Sequence, residues 1–520
     1  MPPPLFPGAE GLGVRRWTIA VVGCLVAILA GVTLADQPYL VFAGLAGLLY
    51  VGTLAVNAPV LAWLVIALQP AALIVPFFPG RPFWWELCAL LAWPSLLAHF
   101  LVNREKLTEL KFDRIERNAL IALASYVVVL VVLMMYRGVG FRAFGGGQMG
   151  GRVYAQQVVL SILPLLMLVA AFRRKHIWWA VLTGWVLTLT YLVAEFSFST
   201  SGGVMQTILY YLELPTDGLN FEAGFSMTGL RRFGSLASVA SAGLACVWTL
   251  ASMRDLLWRW IWIAGPWMVG LFGLGLYSGY RNMLIIPMST LMFLTIFQRF
   301  WNLGRMLVAA VALVGFSVGL YSISDQLPLS IQRSVSILPG IAVSQVARND
   351  AATTNMDRWE VMKMALADIP DYLLIGRGFG MERLDQTPLD SLNSGVGQLY
   401  AQGMFYNGIL GSLLKTGIPG LVCTLLFVWY VSLIAFELVR LVKRRSSSEQ
   451  SCFDRLCLLL SAQWFAYVMF FYLTNGDVNS WMQYFGLVAA LIMACRRLQN
   501  VEEDEATLSV RSSEPPAVKT

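Results

Sequence analysis

Residues 355–370 read NMDRWEVMKMALADIP and lie inside one long polar segment, Ser324 to Tyr406. Most of the rest of the chain is apolar runs long enough to cross a bilayer. That contrast sets the fold class. Of the 520 residues, 58% are hydrophobic and 13% charged, with a mean hydropathy of +0.66, too apolar for a soluble multidomain protein. The chain reads as all-α: a polytopic helical membrane protein of about 14 transmembrane helices, each roughly 16 to 22 residues, with one large outward loop. Spans are expected to start near Trp17, Tyr39, Pro59, Phe83, Asn118, Val153, Ile177, Phe233, Leu257, Asn282, Leu303, Gly417, Cys457 and Trp481.

Lys and Arg alternate from loop to loop along these spans. With a cytoplasmic N-terminus, the inner set holds Arg15 and Arg16, the Arg104 to Arg117 loop, Arg173-Arg174-Lys175, Arg254 and Arg259, Arg299 and Arg305, Arg440 to Arg455, and Arg496-Arg497. The outer loops hold Arg81, Arg137, Arg142, Arg152, Arg231, Arg232 and Arg281. This asymmetry predicts both termini cytoplasmic and an even number of spans. The net charge of +7 is then mostly a topology signal, with no basic stripe for nucleic acid. The expected organisation is a cytoplasmic segment 1–16 without a cleaved signal peptide, a bundle over 17–323 and a large outward loop over 324–416. C-terminal spans over 417–497 and a disordered cytoplasmic tail over 498–520 complete it.

The seven cysteines, Cys24, Cys88, Cys246, Cys423, Cys452, Cys457 and Cys495, fall within spans or on the inner side, so no outer disulfide framework is expected. His99 and His176 fall at cytoplasmic span ends. An outer face without Cys or His offers neither a zinc site nor a histidine base.

Two outer regions are long, 196–232 and 324–416. In the second, a helical pattern opens at Asn355 and ends at Pro370, with Trp359, Met362, Leu366 and Ile369 forming one amphipathic stripe and Arg358 along its edge. Such a helix is expected to lie on the outer membrane surface or to cap the bundle. Ile375-Gly376-Arg377-Gly378-Phe379-Gly380 follows, a backbone able to bend tightly and serving either as a plain turn or as an anion site. Tyr406 to Gly420 reads as a short half-helix running into the next span, with Lys415 near the outer interface.

Ser278-Gly279-Tyr280-Arg281-Asn282 forms a tight hairpin between two apolar spans with no acid close in sequence. Its guanidinium needs a partner: lipid phosphate, a distant carboxylate such as Glu222, or an anionic substrate. Arg231, Arg232, Arg281, Arg358, Arg377 and Lys415 together suit a phosphate or pyrophosphate on a lipid. Asp371, Glu382, Asp385 and Asp390 are the carboxylates available beside them as bases.

Taken in order, Arg232-Phe233-Gly234, Ser278-Gly279-Tyr280-Arg281, Arg358-Trp359 before Pro370, Gly376-Arg377-Gly378-Phe379-Gly380, and Tyr406-Asn407 with Leu410, Leu414, Gly417 and Pro419-Gly420 resemble the O-antigen ligase and O-antigen polymerase family of bacterial envelope glycan enzymes. The motifs cover roughly residues 230 to 440. The resemblance implies a multi-pass inner-membrane glycosyltransferase whose large outward loop, 324–416, is periplasmic, without metal or other cofactor. Its donor would be a glycan on undecaprenyl pyrophosphate and its acceptor a glycan or lipid. It also implies catalytic roles for Arg281, Arg358 and Tyr406, and substrate contacts by Arg231, Arg232, Arg377, Asn407 and Lys415. Ligase members typically carry His-Asn where this chain has Tyr406-Asn407, and a tyrosine is mostly protonated at neutral pH. That departure favours polymerisation of lipid-linked repeats, or transfer to another acceptor, over attachment to lipid A core.

Two other classes compete. A transporter or flippase of lipid-linked sugars usually shows repeat symmetry and mid-membrane charges, whereas here the charges gather at the outer rim. A non-catalytic envelope assembly subunit would keep the fold and lack the reaction.

Overall fold

A computed structural model describes residues 47, 58–76, 81–102, 112–139, 150–169, 172–200, 203–213, 232–258, 261–299, 303–338, 340–379, 395–401, 403–444, 450–474 and 476–513. Among them the protein is all-helical. The first half holds α1 (Ala58–Leu68), α2 (Trp84–Val102), α3 (Arg114–Arg137), α4 (Gly151–Leu160), α5 (Leu163–Val169), α6 (Arg174–Leu187), α7 (Leu189–Thr200) and α8 (Gly203–Tyr211). Then come α9 (Gly234–Leu250), α10 (Met253–Trp258), α11 (Ile261–Tyr277), α12 (Asn282–Phe297) and α13 (Leu303–Ile323). The polar segment supplies α14 (Leu329–Val335), α15 (Gln345–Ala367), α16 (Ile369–Tyr372) and α17 (Gly395–Ala401). The chain closes with α18 (Gly408–Lys443), α19 (Cys452–Leu473) and α20 (Trp481–Ser513).

Five stretches among the described residues are long and apolar enough to cross a membrane: α3, Gly151–Val169, Arg174–Phe198, α18 and α19. Shorter apolar helices lie in α1, α9, α11 and α12. The spans expected from Trp17 and Tyr39 fall outside the described residues.

The core forms where α3, α18, α19 and α20 pack together. Trp464, Trp481 and Tyr126 are sealed there, and their polar atoms find partners, as apolar surroundings require. Trp481 Nε1 donates to the Tyr126 hydroxyl at 3.0 Å, and Trp464 Nε1 donates to Ser432 at 2.9 Å. Ion pairs tie one end of this core: Arg496 reaches Asp113 at 2.7 Å and Glu116 at 3.1 Å, joining the start of α3 to α20. A capping box starts α19, with Ser451 and Asp454 each accepting the other's backbone N–H.

Three expectations change. The tail expected to be disordered from residue 498 continues instead as helix to Ser513. Glu, Ala and Leu in VEEDEATL are good helix formers, and they extend a helix that packing has already nucleated. The polar-segment helix begins at Gln345, ten residues before Asn355, because Ser344 caps it by accepting from Ala347 N at 3.2 Å. Its buried face is Ala347, Asp350, Ala351, Val361 and Ala365, while Trp359 and Leu366 are exposed. Small side chains let α15 approach its neighbours closely, so the alanines face inward beside Val361; of the expected stripe, Met362 and Ile369 pack against the buried cluster while Trp359 and Leu366 do not.

The half-helix before the span is present as the first turns of α18. The helix breaks at Gly417, whose φ of 69° and ψ of −177° suit glycine almost alone. Pro419, which has no N–H to donate, prevents a regular bond to the Lys415 carbonyl. The carbonyls opened by the break are taken up by the glycine-containing loop. Arg377 N donates to Leu414 O at 2.7 Å, Gly378 N to Lys415 O at 2.9 Å, and Ile418 N to Leu373 O at 2.9 Å.

Candidate active site

The α11–α12 hairpin is the base on which the site is built. Ser278 and Gly279 close it, the latter with a φ of +80°. Phe233 N donates to Ser278 O at 2.9 Å and its ring stacks on Tyr277 with centroids 5.8 Å apart, which brings Arg232 alongside. From above, α14 docks through Ser334, which donates to Leu276 O at 2.9 Å, and through an apolar contact of Val335 and Ile341 with Leu276. Across both lies α15.

Four arginines meet there, one from each of these pieces: Arg232, Arg281, Arg333 and Arg358. Arg281 donates to Asn355 Oδ1 at 3.0 Å and to Ala351 O at 3.1 Å. Arg333 is buried, with Nε on the Asp350 carboxylate, Nη1 on Gly279 O and Nη2 on Thr354 Oγ1 at 3.4 Å. Arg232 Nη2 lies 3.8 Å from the same carboxylate and 3.5 Å from Thr354 Oγ1. Arg358 stands over the Tyr406 ring, 4.8 Å from its centroid.

Among the described residues, Asp350 is the one carboxylate that ion-pairs with any of the four. Among the described residues the cluster therefore carries more positive charge than it neutralises, and the charge is felt. Burial, then the charges of Arg333, Arg358 and Arg232, push Arg281 down to about 10, against the pull of Asp350. Burial and then Arg232 lower Arg333, with Asp350 opposing. Burial also lowers Arg358, which Tyr406 partly offsets and Arg232 reinforces. The Nε atoms of Arg232 and Arg358 are buried without a hydrogen-bond partner among the described residues. Spare donors and excess cationic charge together fit a ligand carrying several anionic oxygens.

Tyr406 sits at a φ of 55°, a conformation costing about 1–3 kcal/mol for a non-glycine residue. Packing under Arg358 and the cap that follows hold it there. Asn407 Oδ1 accepts from Ile409 N and Leu410 N, both at 3.0 Å, so this side chain starts α18. Arg377 and Lys415 form a different group. The Arg377 guanidinium lies 4.9 Å from the Tyr400 ring centroid, and Lys415 Nζ sits between the rings of Phe379 and Phe405, at 5.5 and 5.8 Å. Lys415 is only 1% exposed, and its charge reaches Asp477, whose carboxyl is raised chiefly by burial. Here the glycines serve chain-to-chain approach: a Cβ on Gly376 would fall 2.3 Å from Lys415 O.

Arg231, Glu222, Glu382, Asp385 and Asp390 lie outside the described residues, and Asp371 is exposed. Among the described residues no group of three or more His, Cys, Asp or Glu side chains could hold a metal ion.

Sequence reading passed over Arg333, Asp350, Thr354 and Asn355. The signal was available in part: Asp350, Thr354 and Arg358 recur every four residues and share one helical face once the helix starts at Ser344. Arg333, flanked by Ile331 and Val335, has no local pattern that marks it.

Comparison with known proteins adds one match. Residues 269–425 fit the family described as O-Antigen ligase, an interval that takes in Arg281, Arg333, Asp350, Arg358, Arg377, Tyr406 and Lys415 but not Arg232. The matched interval is less than a third of the chain and supports the O-antigen ligase family for that region. No curated protein matches.

Proposed function

We propose that this chain is a glycosyltransferase that polymerises or transfers glycan carried on undecaprenyl pyrophosphate, acting at the outer leaflet of the cytoplasmic membrane with both termini inside. The observation that carries this reading is the gathering of Arg232, Arg281, Arg333 and Arg358 around one carboxylate, within or beside the family match.

In the reaction, an acceptor hydroxyl attacks the anomeric carbon of the donor. A new glycosidic C–O bond forms, the bond to pyrophosphate oxygen breaks, undecaprenyl pyrophosphate departs with the bonding electrons, and the proton of the acceptor hydroxyl passes to the departing pyrophosphate or to water. Negative charge grows on that oxygen as the bond lengthens. Arg281, Arg358 and Arg232 lower the barrier by meeting it with charge-assisted hydrogen bonds in a partly dehydrated site. Pyrophosphate leaves readily, so holding donor and acceptor in line is the larger task. Tyr406 stands under Arg358, where its ring fixes the guanidinium plane.

The test compares a strain lacking the protein with its parent by mass spectrometry of undecaprenyl-linked glycans and a gel of the surface polymer. Loss of long polymer with accumulation of single lipid-linked repeats supports polymerisation, and accumulation of finished lipid-linked chains supports transfer. An unchanged lipid-linked pool and unchanged polymer overturn the proposal. Arg281→Ala and Arg358→Ala are each expected to reduce output about a hundredfold at normal protein level. Normal output from both would leave an assembly role as the better account.

A further inference from the structure

We propose that Arg333 and Asp350 are positioning residues that fix the Arg281 hairpin and leave Arg232, Arg281 and Arg358 free to hold pyrophosphate. This rests on the reading of Arg281 as a pyrophosphate holder. Arg333 belongs to the charge cluster but not to its binding surface. It is 3% exposed, and each of its three nitrogens is already directed at a protein acceptor: the Asp350 carboxylate, Gly279 O and Thr354 Oγ1.

Gly279 is two residues before Arg281, at the turn of the hairpin. By holding its carbonyl, Arg333 joins the hairpin to α14 and α15 without using Arg281. The distinction matters because the two bonds of Arg281, to Asn355 and Ala351, are the donors an anion would claim. A hairpin held only by those bonds would loosen as the anion bound, and ordering it again would weaken binding. Held by Arg333, it stays in place while Arg281 changes partners.

Asp350 completes the arrangement. A carboxylate in a site for a polyanion is at first sight a liability, but this one is 3% exposed and its closest contact is with Arg333, Arg232 standing farther off at 3.8 Å. Its shortest ion pair is with the one guanidinium that the ligand does not reach. Thr354, which donates to Asp350 O at 2.9 Å and stands within reach of both Arg232 and Arg333, keeps the two arginines in register.

The experiment measures inorganic pyrophosphate binding by calorimetry to the purified full chain, alongside turnover of lipid-linked donor and thermal melting. Arg333→Lys keeps the charge and loses the planar fork, so it is expected to weaken pyrophosphate binding about tenfold and lower kcat while the chain still melts cooperatively, at a lower temperature than the parent. Asp350→Asn gives the sharper sign. If Asp350 acted only as a nearby negative charge, its removal would tighten pyrophosphate binding. As a positioning residue, its removal weakens binding by several-fold. Tighter or unchanged binding by Asp350→Asn overturns the inference even if Arg333→Lys fails to fold, as does parental binding by Arg333→Lys. Arg281→Ala separates the layers. If it binds pyrophosphate as well as the parent, the underlying functional reading fails and takes this inference with it. If Arg281→Ala loses binding while the other two variants retain it, the inference alone fails.

Discussion

Arg281 is the residue on which the charge cluster bears most heavily, and its titration makes a prediction with a definite sign. Its guanidinium is cationic below its folded value of about 10, which burial and three neighbouring arginines hold beneath the usual arginine range. The charged form is thus disfavoured in the empty folded protein. That unfavourable contribution to stability is present below about 10 and is relieved as pH rises from there toward the unfolded value. An anion in the site removes the same penalty. The Arg281-dependent part of pyrophosphate binding, read as the difference between the parent and Arg281→Ala at each pH, is therefore expected to be flat around neutral pH and to fall as pH approaches about 10. A calorimetric pH series checks this, and a fall near neutral pH would assign the anion contact to some other group. Arg281 was legible as a candidate because a guanidinium at the end of an apolar span is conspicuous, and Arg358 because it lies along the edge of an amphipathic stripe in the polar segment. Arg333 was not, since its partners, Gly279 and Asp350, come from distant parts of the sequence.

Among the elements, α18 shows how a break in a helix becomes a fixing point. Gly417 opens the helix, Pro419 keeps it open, and residues 373–378 fill the opening with backbone hydrogen bonds. A Cβ on Gly417 would lie 2.6 Å from Leu374 O, and one on Gly376 2.3 Å from Lys415 O, both against backbone that cannot turn aside. Gly417→Ala and Gly376→Ala are each expected to destabilise the protein by about 1–3 kcal/mol, read as a lower melting temperature in detergent. Gly315→Ala in α13, where nothing lies within 4 Å of the new methyl, is the matched control expected to melt like the parent. The Gly-rich run was visible in the sequence, but its purpose was not. Either a turn or an anion site fits three glycines in five positions, and only the position of Leu414 and Lys415 beside them distinguishes these from a junction between segments.

Across the membrane, the proposed orientation places α15 outside and the end of α20 inside. Lys363 and Val501 are both exposed and sit at these two places. In a variant with the seven native cysteines replaced, Lys363→Cys is expected to react with a membrane-impermeant maleimide in intact spheroplasts, and Val501→Cys only after lysis. The reverse pattern would invert the topology and put the arginine cluster on the cytoplasmic side.

Hydropathy and the placement of basic residues were enough to read an all-helical membrane chain with a distinct polar segment, because both signals are local sums that need no partner to be recognised. The arginines expected on the outer side could be nominated on the same grounds. Their grouping could not. The binding of Arg281 to α15, the role of Asn407 as a helix cap, and the separation of Lys415 and Arg377 from the four-arginine cluster all depend on which segments pack side by side. The same holds for the inward face of α15, where close packing of alanines outweighed the apolar stripe of Trp359 and Leu366. Packing brings residues from distant parts of the chain together, and the excess charge that defines this site exists only after it has done so.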